Sequence, residues 1–152
     1  MGPLAKLRAL PAEARWVLVL FAVLCYAPLF MHLDTLPARL FDESRQALSA
    51  LEMLRSGDWL VTHYRGEVDL YNTKPPLLFW MIATSYAVLG PGELAMRLPV
   101  AFLALATCVV LLRISWKVVG SPWAGLYAVL ILLTCGGFVA AHVARTADFD
   151  VP

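Results

Sequence analysis

The stretch Leu77-Leu78-Phe79-Trp80-Met81-Ile82-Ala83-Thr84-Ser85-Tyr86-Ala87-Val88-Leu89 decides how this chain is arranged. Its thirteen residues carry no charge. As a helix they reach about 20 Å, against a bilayer core of about 30 Å. Pro75-Pro76 precede the run and Gly90-Pro91-Gly92 end it. Runs this short more often lie at an interface or re-enter than cross. Residues 76–89 therefore read as a surface helix, and the course of the rest of the chain depends on that reading.

The composition sets the solvent. The chain is 61% apolar and 15% charged, which is far from the balance of a soluble domain and points to an integral membrane protein. Formal net charge is +1, so nothing suggests a nucleic-acid partner. Cys25, Cys108 and Cys135 all lie in apolar runs, without metal-ligand spacing or a disulfide pattern. They read as small buried residues.

Upstream, residues 17–33 form an apolar run after Lys6, Arg8 and Arg15. No small-residue cleavage site follows, so the run reads as an uncleaved first span with its basic end in the cytoplasm. Residues 34–74 are polar and form an outer loop. Within it, 42–56 carries Ala47, Leu48, Leu51 and Leu54 on one helical face, with Glu43, Gln46, Ser49 and Glu52 turned away. This predicts a second surface helix, capped by Asp42 and stopped by Gly57. Residues 58–73 read as an irregular loop.

Downstream, a span is expected over 97–117, where the apolar run 98–112 is bounded by Arg97 and Arg113, whose long side chains can snorkel to the interface. A further span over 118–144 contains His142 as its one group that can be charged near neutral pH. Parity then fixes the topology. If 76–89 does not cross, Arg113 and Lys117 fall on the cytoplasmic side, as basic residues prefer. Arg145, Asp148 and Asp150 then share the outer side with Asp42 and Glu43. If it does cross, the two acidic clusters lie on opposite sides. The first arrangement is expected: an all-α integral membrane protein with three spans and two juxtamembrane helices in the first outer loop.

Asp42-Glu43-Ser44-Arg45, Glu52-Met53-Leu54, Gly57-Asp58-Trp59-Leu60, Lys74-Pro75-Pro76-Leu77 with Trp80, and Arg97-Leu98-Pro99 occur in that order. The set resembles the N-terminal part of the GT-C glycosyltransferases. It is most like the family 39 (protein O-mannosyltransferase-like) enzymes and the lipid A aminoarabinose transferases. The resemblance runs from about residue 30 to the C-terminus. It implies a glycosyltransferase that moves a sugar from a polyprenyl-phosphate donor to a lipid or protein acceptor. Transfer would take place at the outer face of a membrane, expected to be the bacterial inner membrane with its site toward the periplasm. Family members are several times longer, so the chain is expected to be an N-terminal fragment.

The resemblance also implies roles. Asp42 matches the acidic residue that deprotonates or positions the acceptor, with Glu43 beside it as a second candidate. The plain alternatives are a helix cap and a solvated first-turn Glu. Lys74 matches a Lys-Pro position and suits a phosphate, with an interfacial lysine as the alternative. Arg145 is a second candidate for the donor phosphate. Asp150, or else Asp148, matches an acidic residue near a proline in the second outer loop. Two acidic clusters on one face could hold a divalent metal through oxygen ligands. The pattern departs at Thr73, where the aminoarabinose transferases carry a Glu. No cofactor is otherwise expected. The competing classes are a non-catalytic membrane subunit and a transporter fragment. The latter needs ionisable groups inside the spans, and here the charges gather on the loop.

Overall fold

The computed structural model describes residues 11–35, 37–38, 42–139 and 144–147. The elements in chain order are α1 (Ala12–Phe30), α2 (Asp42–Ser56), β1 (His63–Tyr64), β2 (Glu67–Val68), α3 (Leu77–Leu89), α4 (Glu93–Val119), α5 (Pro122–Thr134) and α6 (Gly136–Val139).

Two packing groups meet on α4. Its first turns place Ala95, Met96 and Val100 against Ala50 and Met53 of α2 and against Phe79, Ile82 and Ala83 of α3. Farther along, Ala104, Cys108 and Leu112 pack against Val17, Phe21, Cys25 and Leu29 of α1 and against Leu126, Val129 and Leu133 of α5. Spacings of three and four residues put most of these side chains on one stripe of each helix. The side chain of Arg97, near the start of α4, reaches the Leu33 carbonyl just beyond α1. The end of α1 and the start of α4 therefore lie at the same end of the bundle. The chain between them, α2, the β-ribbon and α3, leaves from that end and returns to it.

Among the described residues, α1 and α4 are long and apolar enough to cross a membrane, whereas α3 and α5 are shorter. The boundaries depart from the expected spans. α1 begins at Ala12 and stops at Phe30, with Met31 extended. α4 starts a turn earlier than expected and runs to Val119, where Gly120 takes a left-handed conformation (φ 76°). The continuous span over 118–144 is not found. Gly120 closes one helix and Pro122, which has no N–H to lose at a first-turn position, opens the next. α5 then ends at Thr134, and a single turn, α6, follows. Residues 140–143 lie outside the described residues.

The two helices expected at the membrane surface, α2 and α3, have limits within one residue of those expected. Gly57 stops α2 with φ 75°, and its N–H donates to the Met53 carbonyl at 3.1 Å. Asp42 is the first helical residue and not, as expected, the cap that precedes it. The orientation of α2 differs from expectation, however. Glu43, Gln46, Ser49, Ala50 and Met53 are buried, while Ala47, Leu48, Leu51 and Leu54 are half-buried. The loop over 58–73 also contains order. β1 and β2 pair antiparallel, His63 with Val68 and Tyr64 with Glu67. Arg65 and Gly66 between them both have positive φ, 58° and 82°, as the tightest hairpin turns require.

Candidate functional site

The loop that follows α2 is built by short polar contacts. Asp58 accepts the N–H groups of Leu60 and Val61 at 3.1 and 3.0 Å, which holds its carboxyl below the usual carboxylate range, Val61 contributing most. Glu52 of α2 accepts the N–H of Gly66 at the hairpin tip. After the ribbon, Asp69 accepts the Tyr71 N–H and Asn72 accepts the Lys74 N–H at 3.0 Å while donating to Thr62. Trp80 of α3 donates its indole N–H to the Trp59 carbonyl, so the loop is tied to the helix it leads into.

Arg45 joins α2 to this loop. Its Nε donates to Asp69 Oδ2 at 3.2 Å, and its Nη2 donates to Oδ1 of the same carboxylate. The guanidinium also lies over the rings of Tyr64 and Tyr71, 4.6 and 4.9 Å from their centroids. The bond to Asp69 raises the already high pKa of Arg45, so the group is a fixed cation.

Between α2 and this loop is a cavity of about 500 Å³. Asp42, Arg45, Gln46 and Ser49 line it from α2, and Asp69, Asn72 and Lys74 line it from the loop, among others. Asp42 and Lys74 are both exposed, and the fold brings them to the same cavity. A carboxylate and an ammonium on one concave surface can take a proton and hold an anionic group.

Glu43 is placed differently. It is 2% exposed and bound to Arg97 of α4, which is 4% exposed. Arg97 Nε and Nη2 donate to the two carboxylate oxygens at 2.8 and 3.0 Å. This corrects two readings: Glu43 is not a solvated first-turn residue, and Arg97 does not snorkel. Each supplies the countercharge that makes burial of the other tolerable.

Arg145 donates to the Met31 carbonyl at 2.6 Å and to the His32 carbonyl at 3.4 Å, and it is not among the residues lining the cavity. Asp148, Asp150 and His142 lie outside the described residues. Among the described residues no group of three or more His, Cys, Asp or Glu side chains is placed to hold a metal ion. His63 bonds the Val61 carbonyl through Nδ1. Arg45, Asp69, Ser49 and Asn72 have no site role on sequence alone, although Arg45 stands in the Asp42-Glu43-Ser44-Arg45 stretch. The spacing of Asp42, Arg45, Gln46 and Ser49 was the available signal, since these positions recur on one helical face.

A second cavity, of about 460 Å³, opens between α3 and α4 with almost wholly apolar walls that include Trp80, Val88, Leu98 and Phe102.

Residues 73–152 match the family described as dolichyl-phosphate-mannose-protein mannosyltransferase, which is more than half of the chain. The chain belongs to that mannosyltransferase family. Lys74 falls inside the matched region and Asp42 precedes it. Beyond the family match, the chain is 36% identical over 111 residues to an uncharacterized protein of Aquifex aeolicus, covering 73% of this chain and 21% of the other. It is 31% identical over 118 residues to the undecaprenyl phosphate-alpha-4-amino-4-deoxy-L-arabinose arabinosyl transferase of Edwardsiella ictaluri, covering 76% and 21%. The crystal structure of ArnT from Cupriavidus metallidurans bound to undecaprenyl phosphate superposes with a TM-score of 0.78 at 29% identity, over 90% of this chain and 24% of that one. This member of the mannosyltransferase family thus spans about a fifth of the length of the curated relatives it matches.

Proposed function

We propose that this chain carries part of the active site of a membrane glycosyltransferase that moves a sugar from a polyprenyl-phosphate donor to a lipid or protein acceptor. The observation that carries the reading is the convergence of Asp42 and Lys74 on one cavity. The family match and the undecaprenyl-phosphate complex of the ArnT neighbour support the same donor class.

In this reading the acceptor's hydroxyl or phosphate oxygen attacks the anomeric carbon. The bond from that carbon to the phosphate oxygen breaks, and polyprenyl phosphate departs with the bonding pair. Asp42 takes or orients the acceptor proton, and Lys74 offsets the charge that develops on the leaving phosphate. The apolar cavity beside α3 and α4 is suited to the first part of a prenyl chain. Glu43 acts from behind Asp42 rather than on the substrate. Arg145, Asp148 and Asp150 belong to the proposal as its second charged cluster. Residues 144–147 are tied to Glu43 through the Ala147 N–H, which donates to its carboxylate at 3.1 Å.

The same reading places α1 and α4 across the bacterial inner membrane, with α5 beside them and α2, the ribbon and α3 on the periplasmic side. The shared end of α1 and α4 supports that placement.

The test is transfer of radiolabelled sugar from a polyprenyl-phosphate-linked donor by membranes containing the full protein. Asp42→Asn should lower the rate by roughly 10²–10⁴-fold, the usual contribution of a positioned general base, with membrane insertion intact. Transfer at the unmodified rate would remove Asp42 from the mechanism.

A further inference from the structure

The sequence of α2 and its packing disagree about which face points inward. By its apolar pattern the helix should bury Ala47, Leu48, Leu51 and Leu54. Instead it buries Glu43, Gln46, Ser49, Ala50 and Met53, a face displaced around the axis by more than a quarter-turn. Leu48 lies nearly opposite the buried side. Ala47, Leu51 and Leu54 still pack, half-buried, against the core that Ala50 and Met53 enter, so apolar side chains cover a wide arc of α2 and do not by themselves fix its rotation.

The buried pair of Glu43 and Arg97 can do so. Arg97 donates Nε and Nη2 to Glu43, Nη1 to the Leu33 carbonyl at 2.7 Å, and Nη2 also to the Pro37 carbonyl at 3.2 Å. Glu43 in turn accepts the Ala147 N–H. One ion pair thus ties together the end of α1, the linker into α2, the first turn of α2, the start of α4 and the segment 144–147. Turning α2 so that its leucines face inward would swing Glu43 away and leave the Arg97 charge buried without its carboxylate. Breaking such a pair is strongly unfavourable, whereas its contribution to net stability over an apolar replacement is small. Setting a register is the best-supported use of a buried ion pair.

The register matters for the cavity. Asp42 and Ser49 are seven residues apart, two helical turns, and so lie on nearly the same line along α2. Both line the cavity, with Arg45 and Gln46 between them. Ser49 is 1% exposed, and its hydroxyl has no hydrogen-bond partner among the described residues.

We infer that Arg97 is a positioning residue: by pairing with Glu43 it fixes the rotational register of α2 and so turns Asp42, Arg45 and Ser49 toward the cavity. The catalytic meaning of this register rests on the function proposed above, but the register itself does not.

The test therefore reads rotation directly. Cys25, Cys108 and Cys135 are replaced in the full protein, and single cysteines are introduced by Ser49→Cys or Leu48→Cys. Their N-ethylmaleimide labelling rates are compared in detergent solution with and without the double change Glu43→Gln and Arg97→Met. Rotation should raise labelling at position 49 about tenfold or more, the change produced by about 1.4 kcal/mol between two registers. Labelling at position 48 should fall. Restoring the pair in reversed polarity, Glu43→Arg with Arg97→Glu, should return both rates toward their starting values. Unchanged rates would overturn the inference. So would a rise at both positions, because that is the mark of unfolding rather than rotation. A failure of Asp42→Asn to affect sugar transfer would leave these rates as predicted, so the two readings fail separately.

Discussion

Arg45 of α2 and Asp69 beyond the β-ribbon form a two-point ion pair, and the Asp69 side chain is almost completely buried in it. The pair is a polar link between the helix that carries Asp42 and the loop that carries Lys74. It also keeps the Arg45 guanidinium stacked over Tyr64 and Tyr71. A lysine would keep the charge but lose both the planar fork and the stacking. Arg45→Lys should therefore loosen residues 58–74 without disturbing the helical bundle, at a cost of about 1–3 kcal/mol, as for leaving a buried acceptor incompletely paired. Limited proteolysis would show faster cleavage within this loop, and unchanged cleavage would mean that Arg45 is dispensable for its order.

Packing between α4 and α5 depends on one small residue. A Cβ at Gly125 would lie 2.7 Å from the Leu112 carbonyl oxygen and 3.1 Å from its Cα. Because the obstruction is backbone, it cannot be relieved by a side-chain rotation. Gly125→Ala should push the two helices apart and destabilise the protein by about 1–3 kcal/mol. Its melting temperature in detergent should drop, while Gly136→Ala, where a Cβ meets no atom within 4 Å, should change it little.

The Asp58 turn gives a pH signature. Its carboxylate is held below the usual range by the N–H groups of Val61 and Leu60. A carboxyl whose pKa is lowered in the folded state adds stability above its unfolded-state pKa and loses it as pH falls through the folded value. Order in the turn should therefore persist through neutral and mildly acidic pH and disappear only below the usual carboxylate range. Amide exchange at Leu60 and Val61, followed from pH 6 to about pH 2.5, should show protection falling at the acid end. Asp58→Asn should remove that acid-end step, and a variant that kept it would assign the transition to another group.

These features differ in how far the sequence alone could reveal them. The limits of α2 were legible, because Asp42 and Gly57 mark them locally, although Asp42 opens the helix instead of capping it. Its rotation was not, because apolar side chains occupy a wide arc of α2, with Ala50 and Met53 fully buried and Ala47, Leu51 and Leu54 half-buried against the same core, and because the partners Glu43 and Arg97 are far apart in the chain. Arg97 itself looked like an interfacial residue because its partner is far away in the chain. The β-ribbon was obscured by Arg65, which occupies a positive-φ position where Asn or Asp is the usual signal. The break at Gly120 and Pro122 was visible in the residues, but the apolar content on both sides masked it. The convergence of Asp42 and Lys74 was legible through family resemblance. The cavity they line was not, since it depends on the Arg45–Asp69 pair and on the turns made by Asn72 and Asp69.

The central claim is that Asp42 and Lys74 serve one site in different capacities, and binding of undecaprenyl phosphate to the purified full protein tests it most directly. Lys74→Met should weaken binding by about 10- to 100-fold, the range expected for loss of one charge-assisted contact. Asp42→Asn should bind undecaprenyl phosphate as tightly as the unmodified protein or slightly more tightly, while losing sugar transfer. If Lys74→Met binds undecaprenyl phosphate with unchanged affinity, the cavity is not the donor-phosphate site.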